Sequence, residues 1–267
     1  MSKNQVQHQF GRAAADYAVS GVHAQGASLS RLVELTQPQP DWRVLDVATG
    51  AGHTALAFAP HVAHVTASDI TPEMLAETAR LAQERGFGNI TTETAVAQSL
   101  PFDDNSFDLV TCRLAAHHFP RIPQFIVEAA RVLRPGGLLA VADTIAPGSR
   151  LRGKKAKALR EAARYLNAFE KLRDPSHGRL LSLAEWEDAY RDSGFQLIHQ
   201  ETIPMWLDFN DYVTRMRVSS ENRMRLRAML LQAPQAAADF LTPQVTGDRI
   251  AFRFTEAILI GRLMIEE

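Results

Sequence analysis

Between residues 43 and 145, segments of strand character alternate with segments of helical character. The strand-like segments are RVLDVAT (43–49), HVTASDI (64–70), NITTETAVA (89–97), FDLVTC (107–112) and LLAVADTI (138–145). Strands separated by helices pair in parallel through right-handed crossovers. The pattern therefore predicts an α/β fold with a doubly wound, mostly parallel sheet. Ligands of such a sheet bind at the carboxyl ends of its strands.

The helices of this region carry recognisable ends. TPEMLAETARLAQERG begins with Thr71 and Pro72, which suit the cap and the first helical position, and it stops at Gly86. PQFIVEAARVLRPGG is predicted to remain helical as far as its closing Pro-Gly-Gly. Both segments are long enough to connect neighbouring parallel strands.

Beyond residue 146 the alternation breaks down. A basic helix is predicted for 150–173, and the helical stretch SLAEWEDAYRDSGF follows it. A short strand, QLIHQETI, comes next, and then two more helical stretches, DFNDYVTRMRV and ENRMRLRAMLLQA, and a final apolar strand. The sequence shows no obvious linker, so we expect a single domain over residues 1–267. Its predicted parts are an N-terminal helical flap (1–40), a strand-and-helix core (41–146), a helical insertion (147–240) and a closing strand (250–265).

Composition excludes several classes of protein. The chain has 267 residues and a formal net charge of −1, so there is no bulk attraction to nucleic acid or to an acidic membrane. The single Cys112 rules out an internal disulfide framework and a cysteine-based zinc site, and we expect no metal. Because the first ten residues are polar and no apolar run approaches the roughly 20 residues of a membrane span, we expect no membrane insertion and a cytoplasmic location.

The segment VLDVATGAGHTALAFA (44–59) joins the first strand to a helix through a glycine turn. Gly50 and Gly52 fit the pattern G-x-G-x-x-A, and glycine there lets the backbone approach a ligand. Asp46 precedes the turn, and Asp69 follows it at a spacing that suits a carboxylate accepting from ribose hydroxyls. These features predict a nucleoside cofactor but do not decide which one.

Three further segments narrow the choice. They are VTASDITPEML, SLPFDDNSFDLVTCRLAAHHF and EAARVLRPGGLLAVAD, which follow the glycine turn in order. Together the four segments resemble the class I S-adenosylmethionine-dependent methyltransferases, in the type 11 branch that includes the ubiquinone/menaquinone C-methyltransferases. The resemblance implies a seven-stranded sheet with an antiparallel last strand and S-adenosyl-L-methionine as cofactor. It makes 41–146 the cofactor-binding core and 147–240 the acceptor region.

The resemblance also implies roles for individual residues along the cofactor. The ten residues are Asp46 for the methionyl amine, Gly50 and Gly52 for backbone contacts, Asp69 for the ribose, Ile70 and Met74 beside the adenine, Ala97 and Gln98 at the adenine edge, Arg113 near the amino-acid tail, and Tyr17 on the flap. Two positions depart from the family pattern. Ala48 stands where glycine is usual, and Val96 where an acidic residue is frequent. We still expect binding, because the ribose and ammonium partners are present.

Methyl transfer from a sulfonium is an in-line displacement, which mainly requires alignment and exclusion of water. An acceptor with a hydroxyl or an acidic carbon also needs a base. His117 and His118, after the fourth strand, are the candidates, since histidine titrates near neutrality. The alternative is that the two histidines only cap or pack the loop.

The acceptor itself is not visible in the sequence. We expect C- or O-methylation of a small molecule, and no nucleic acid, because the stretch after the fourth strand reads RLAA, without prolines or a stacking aromatic. The basic stretch 150–160 fits an acidic substrate or a solvated helix face. Aromatic residues of the insertion fit either an acceptor pocket or a core; they are Phe169, Trp186, Trp206, Phe209 and Tyr212. The oligomeric state is not predicted.

Two other functions stay open at this point. A nicotinamide-dependent oxidoreductase shares the literal glycine pattern, but it leaves SFDLV and RVLRPGG unexplained. A catalytically silent S-adenosylmethionine-binding protein would keep the pocket without the reaction, and the departures at Ala48 and Val96 suit it.

Overall fold

The computed structural model describes Gln7, Gly11 and residues 26–265 of the chain. Tyr17 and most of the predicted flap therefore lie outside the described residues. The strands are β1 (Arg43–Val47), β2 (His64–Asp69), β3 (Ile90–Thr94), β4 (Phe107–Arg113), β5 (Leu133–Thr144), β6 (Phe195–Asp208), β7 (Gln244–Thr246) and β8 (Arg249–Leu263). The described helices are α1 (Ala27–Thr36), α2 (His53–Phe58), α3 (Pro72–Glu84), α4 (Ile122–Val132), α5 (Lys154–Arg173), α6 (Leu183–Asp192), α7 (Phe209–Arg215), α8 (Ser220–Leu231) and α9 (Gln235–Leu241).

The sheet confirms the predicted fold class. Its strand order is β3-β2-β1-β4-β5-β8-β6, and β7 adds an eighth, short strand beside β8. Pairing is parallel from β3 through β5 and antiparallel between β7 and β8. The order reverses at β1 and β4, whose carboxyl ends form the switch point where ligands of such sheets bind.

The boundary between α4 and β5 differs from the one expected from the sequence. Helix α4 ends at Val132, and the residues of Leu-Arg-Pro-Gly-Gly already belong to β5. Leu133 is extended and pairs with Phe107 of β4. The physical reason lies in Pro135, since the residue before a proline is pushed away from the helical region. Helix α9 and strand β7 have no counterpart among the expected elements.

The chain divides into two compact units. Unit 1 comprises residues 1–143, 188–201 and 258–267, and unit 2 comprises residues 144–187 and 202–257. The interior of unit 1 is built on strands whose residues are almost all buried, β1, β2 and β4 in particular. These central strands hold the site residues predicted from the sequence.

Unit 2 has its own aromatic core. The rings of Phe169, Tyr212, Phe252 and Phe254 are buried and contact one another edge-on or stacked. Trp186 and Phe209 are also buried, whereas Trp206 is 49% exposed. Four of the five aromatic residues noted in the insertion therefore serve as core, and only Trp206 is partly available to a ligand.

Two features are absent from the described residues. None of the described helices combines the length and the apolarity that a membrane span requires. Within residues 26–265, no three His, Cys, Asp or Glu side chains lie close enough together to hold a metal ion.

Candidate functional site

The glycine turn after β1 is left-handed at three positions. Ala48, Gly50 and Gly52 have φ angles of 55°, 56° and 85°. A Cβ on Gly50 would meet no atom within 4 Å, so this position faces open space. A Cβ on Gly52 would lie 2.6 Å from Cγ2 of Thr78, so glycine is required there by the fold itself. At Ala48 the usual glycine is replaced by a residue that rarely adopts this conformation, which stores strain at the turn.

Asp46 is the buried carboxylate of the site. It lies on β1 opposite Thr111 of β4, and its side chain is 1% exposed. Its Oδ2 accepts from the Thr49 hydroxyl at 2.6 Å and its Oδ1 from the Thr111 hydroxyl at 2.7 Å. Burial raises the pKa of Asp46 to about 6, and the two hydroxyl donors hold it from rising further. The Ala55 N–H also donates to this carboxylate, so about one of its four lone-pair sites remains for another donor.

Asp69 ends β2 and is tied to the glycine turn. Its Oδ2 accepts from the Gly50 N–H at 2.9 Å, and its Oδ1 accepts from the Thr71 N–H at 2.8 Å. Burial raises the pKa of this carboxyl, while the backbone donors oppose the rise. These two hydrogen bonds fix both oxygens, and the Thr71 hydroxyl and the Ile70 N–H also donate to the carboxylate.

Arg113 brings a positive charge to the end of β4. Its Nε donates to the Thr54 hydroxyl at 3.3 Å and its Nη1 to the Ser28 hydroxyl at 3.4 Å. The residue is 9% exposed, and its charge lowers the pKa of Asp46. The strand tips thus carry two carboxylates and one guanidinium in a sheltered setting.

The segment after β2 and the loop after β3 supply apolar and amide groups. Met74 is 2% exposed and Ala97 is 7% exposed. The Ile70 carbonyl accepts from Gln7 Nε2 at 2.7 Å, so Gln7 contacts this region. Gln98 Nε2 is buried and has no hydrogen-bond partner among the described residues. A buried amide donor of this kind requires an acceptor, and a bound ligand would supply one.

Arg131 anchors the loop that follows Gln98. Its guanidinium donates to the carbonyls of Leu100 and Phe102 at 2.9 and 2.8 Å and to the carboxylate of Asp104 at 2.7 Å. Glu128, one turn earlier on α4, pairs with Arg131 and accepts from the Leu100 N–H at 2.8 Å. These two residues were not among the predicted site residues. The signal was the charged pair of EAARV next to the Pro-Gly-Gly segment.

His117 is paired with an acidic residue that the sequence reading missed. Its Nδ1 lies 2.6 Å from Oδ1 of Asp143, and its backbone N–H donates to Oδ2 at 2.8 Å. Asp143 is 1% exposed and His117 is 15% exposed. The ring of His118 lies 4.2 Å from that of His117, centroid to centroid. The available signal in the sequence was an acidic residue near the carboxyl end of the predicted strand LLAVADTI (138–145).

These residues fit the cofactor that the resemblance implies. The carboxylates match an ammonium and a ribose diol, and Arg113 matches a carboxylate. The open space at Gly50 and the unsatisfied Gln98 amide leave room and a donor for a nucleoside. The chemistry of the donor set therefore suits S-adenosylmethionine.

Comparison with known proteins agrees with this fit. Residues 45–141 match the model of the methyltransferase domain family, in its type 11 branch. A relative from Bacillus subtilis, named uncharacterized methyltransferase YcgJ, is 36% identical over 256 residues, which are 94% of this chain and 96% of that protein. The ubiquinone/menaquinone C-methyltransferase UbiE of Bartonella quintana is 42% identical over 101 residues, 36% of this chain and 39% of that one.

Solved structures give the same result. The crystal structure of YcgJ superposes with a TM-score of 0.80 at 31% identity, covering 90% of this chain and 99% of that one. A methyltransferase of Bacillus halodurans C-125 gives a TM-score of 0.81 at 32% identity, covering 90% and 100%. The fold and the site together are those of a Rossmann-like enzyme that uses a nucleoside cofactor.

The chain belongs to the class I S-adenosylmethionine-dependent methyltransferases, in the type 11 branch. It is an S-adenosylmethionine-dependent methyltransferase rather than the nicotinamide-dependent oxidoreductase that the glycine pattern also allowed.

Proposed function

We propose that the enzyme methylates a small-molecule acceptor at an oxygen or carbon whose proton is removed by His117. The observation that carries the proposal is the pair formed by His117 and the buried Asp143. An enzyme that only aligns a strongly nucleophilic acceptor has no need of an imidazole held by a carboxylate. Such a pair is useful where a proton must leave.

The cofactor residues have distinct tasks in this proposal. Asp46 holds the ammonium group and Asp69 the ribose hydroxyls. Arg113 lies toward the amino-acid carboxylate, and Gln98 donates at the adenine edge. The bound cofactor supplies a methyl group activated by a positively charged sulfur. Holding donor and acceptor in line contributes about 7–11 kcal/mol toward lowering the barrier. Tyr17 stays a prediction as a residue that closes over the site.

The base acts through a defined tautomer. When Nδ1–H donates to Asp143, the lone pair of His117 lies on Nε2. Nε2 would accept the proton that leaves the acceptor oxygen or carbon as that atom is methylated, and S-adenosylmethionine would supply the methyl group when bound. The carboxylate of Asp143 stabilises the imidazolium that results. His118 lies beside this ring and is the second candidate for contact with the acceptor.

The test combines a transfer assay with a binding assay. A panel of phenols, quinones, fatty acids and amines is incubated with radiolabelled S-adenosylmethionine, and binding of S-adenosylhomocysteine is measured by calorimetry. We expect transfer to phenolic or activated-carbon acceptors. His117→Ala should lose at least tenfold in kcat and keep its affinity for S-adenosylhomocysteine, with the exposed His61→Ala as matched control.

Three outcomes would overturn the proposal. Full turnover in His117→Ala with the preferred acceptor would show that the histidine has only a packing role. Binding of S-adenosylhomocysteine without transfer to any acceptor would favour the catalytically silent protein. A preference for amines in the panel would move the acceptor class to nitrogen and remove the need for the base.

A further inference from the structure

Charge is distributed unevenly between the two units. Unit 2 contains 17 Lys and Arg residues against 11 Asp and Glu, whereas the rest of the chain contains 12 against 19. The near-neutral net charge therefore conceals a basic unit and an acidic one. A basic surface of a folded unit attracts anionic partners at ranges up to the Debye length.

The excess positive charge of unit 2 is concentrated on α5. Ala156, Ala162, Leu166 and Phe169 are buried, which defines the inner side of this helix. Helical spacing places Lys154, Lys157, Arg160 and Arg164 together on the opposite side, and all four are exposed. We name these four residues the α5 basic face. The side chains of Lys157 and Arg164 are 73% and 76% exposed.

Little negative charge compensates this face. Glu161 is the only acidic residue between positions 150 and 164. Its carboxylate lies 3.9 Å from Lys157 Nζ and 4.0 Å from Arg164 Nη2, at the limit of an ion pair. One half-exposed carboxylate shared between two cations leaves the face strongly positive.

The segment before α5 adds two cations and an apolar side chain. Arg152 and Lys155 are exposed, and Leu151 is 76% exposed. Arg150 is held by the Glu187 carboxylate at 2.8 Å, which fixes the start of this segment within unit 2. An exposed leucine among cations costs hydration free energy in water, and it is at home where lipid headgroups meet acyl chains.

The face is presented by folded structure. Helix α5 packs on the unit 2 core, and Tyr165 donates to the Met229 carbonyl of α8 at 2.7 Å. Binding therefore requires no ordering of the helix. Single-stranded nucleic acid is another polyanion that basic faces bind, but its sites interleave aromatic residues for stacking. Residues 150–164 contain no aromatic residue.

We infer that the α5 basic face, together with Leu151, docks the enzyme on an anionic lipid bilayer. The contact is peripheral: the cations meet lipid phosphates and the leucine enters the headgroup region. Each such cation adds roughly fivefold to the affinity for a strongly anionic surface. The inference stands apart from the identity of the methyl acceptor.

The test is sedimentation of the full chain with vesicles. We expect binding to vesicles made of equal parts phosphatidylcholine and phosphatidylglycerol, none to phosphatidylcholine alone, and loss of binding in high salt. Replacing the four residues of the α5 basic face by Gln should reduce binding at least tenfold. Leu151→Ser should weaken it by about threefold or more, since an apolar contact is lost.

A matched control changes the net charge equally in unit 1. Arg80, Arg85, Arg121 and Arg134 are exposed there, and their replacement by Gln should leave vesicle binding within about twofold of the starting value. Transfer to a water-soluble acceptor should be unchanged in both variants, which separates this inference from the proposed reaction. Absence of binding to the anionic vesicles, equal binding by the α5 variant, or binding to single-stranded RNA in preference to vesicles would each overturn the inference.

Discussion

The carboxylate of Asp143 engages His117 twice, through the backbone N–H at 2.8 Å and through Nδ1 at 2.6 Å. The first contact fixes the position of the His117 backbone, and the second fixes the orientation of its ring. Because Asp143 is the second-to-last residue of β5 and His117 follows β4, two neighbouring strands hold the pair. The tautomer with its lone pair on Nε2 follows from this arrangement.

Asp143→Asn should lower kcat by about tenfold to a thousandfold with little change in the affinity for S-adenosylhomocysteine. The Asn side chain is nearly isosteric with Asp. Its NH2 group can stand where Oδ1 of Asp143 accepts from Nδ1–H of His117, and a neutral amide does not stabilise an imidazolium. The measurement is kcat across pH for the wild-type enzyme and the variant. His61→Ala serves as the control. If Asp143→Asn and the wild-type enzyme share one rate profile, the carboxylate does not act through His117.

Asp46→Asn should stabilise the protein at neutral pH. The folded-state pKa of Asp46 is about 6, above the ordinary value of 3.8, so the fold favours the neutral carboxyl. The favourable contribution is complete below about pH 4 and is lost as the pH rises through about 6. A difference of about two units corresponds to about 3 kcal/mol. Thermal unfolding should show Asp46→Asn to be more stable relative to the wild type at about pH 7.5 than at about pH 4. A constant difference between the two proteins would contradict this.

Cofactor affinity should depend on pH in the opposite sense. An ammonium group selects the ionised form of Asp46, so the apparent Kd for S-adenosylhomocysteine should rise as the pH falls below about 6, approaching tenfold per unit. Asp46→Asn should bind weakly at every pH and lose this dependence. Calorimetric titration across the range provides the measurement. Unchanged affinity of Asp46→Asn at neutral pH would place the ammonium elsewhere.

Gly52→Ala should destabilise the fold by about 2–4 kcal/mol, because the new Cβ would lie 2.6 Å from Thr78 and the backbone φ is 85°. Gly50→Ala should cost only about 1–2 kcal/mol, since nothing lies within 4 Å of its Cβ, but it should weaken cofactor binding. Denaturant unfolding and calorimetry separate the two effects. Combining Gly52→Ala with Thr78→Ala should recover part of the loss; no recovery would mean that backbone strain alone accounts for it.

Much of this architecture is predictable from the sequence because strand and helix periodicity decide it. The strands β1, β2 and β4 begin and end within two residues of their expected bounds, and the turn glycines have the positive φ angles that their type suggests. What periodicity cannot supply is contact between distant positions. Asp143 is 26 residues from His117, and only the parallel register of β4 and β5 brings the two together.

Two further features of the site are visible only in the folded structure. Ala48 could be noted as unusual, but its left-handed φ of 55° shows that the chain keeps the turn despite the Cβ. The Arg131 contacts join α4 to a loop about thirty residues earlier in the chain. Two of the accepting groups are backbone carbonyls, which every residue carries, so the side-chain pattern does not predict them.

Arg131→Ala should raise the Kd for S-adenosylhomocysteine by about threefold to tenfold, because the carbonyls of Leu100 and Phe102 lose the donor that keeps the loop beside Gln98 in place. Arg134→Ala is the matched control, since that residue forms an ion pair with Asp108 away from the loop. Arg131→Lys should recover little, because an ammonium cannot span both carbonyls and Glu128. Calorimetry with S-adenosylhomocysteine and with adenosine locates the loss at the adenine end. Equal weakening by Arg131→Ala and Arg134→Ala would reduce the role of Arg131 to general stability.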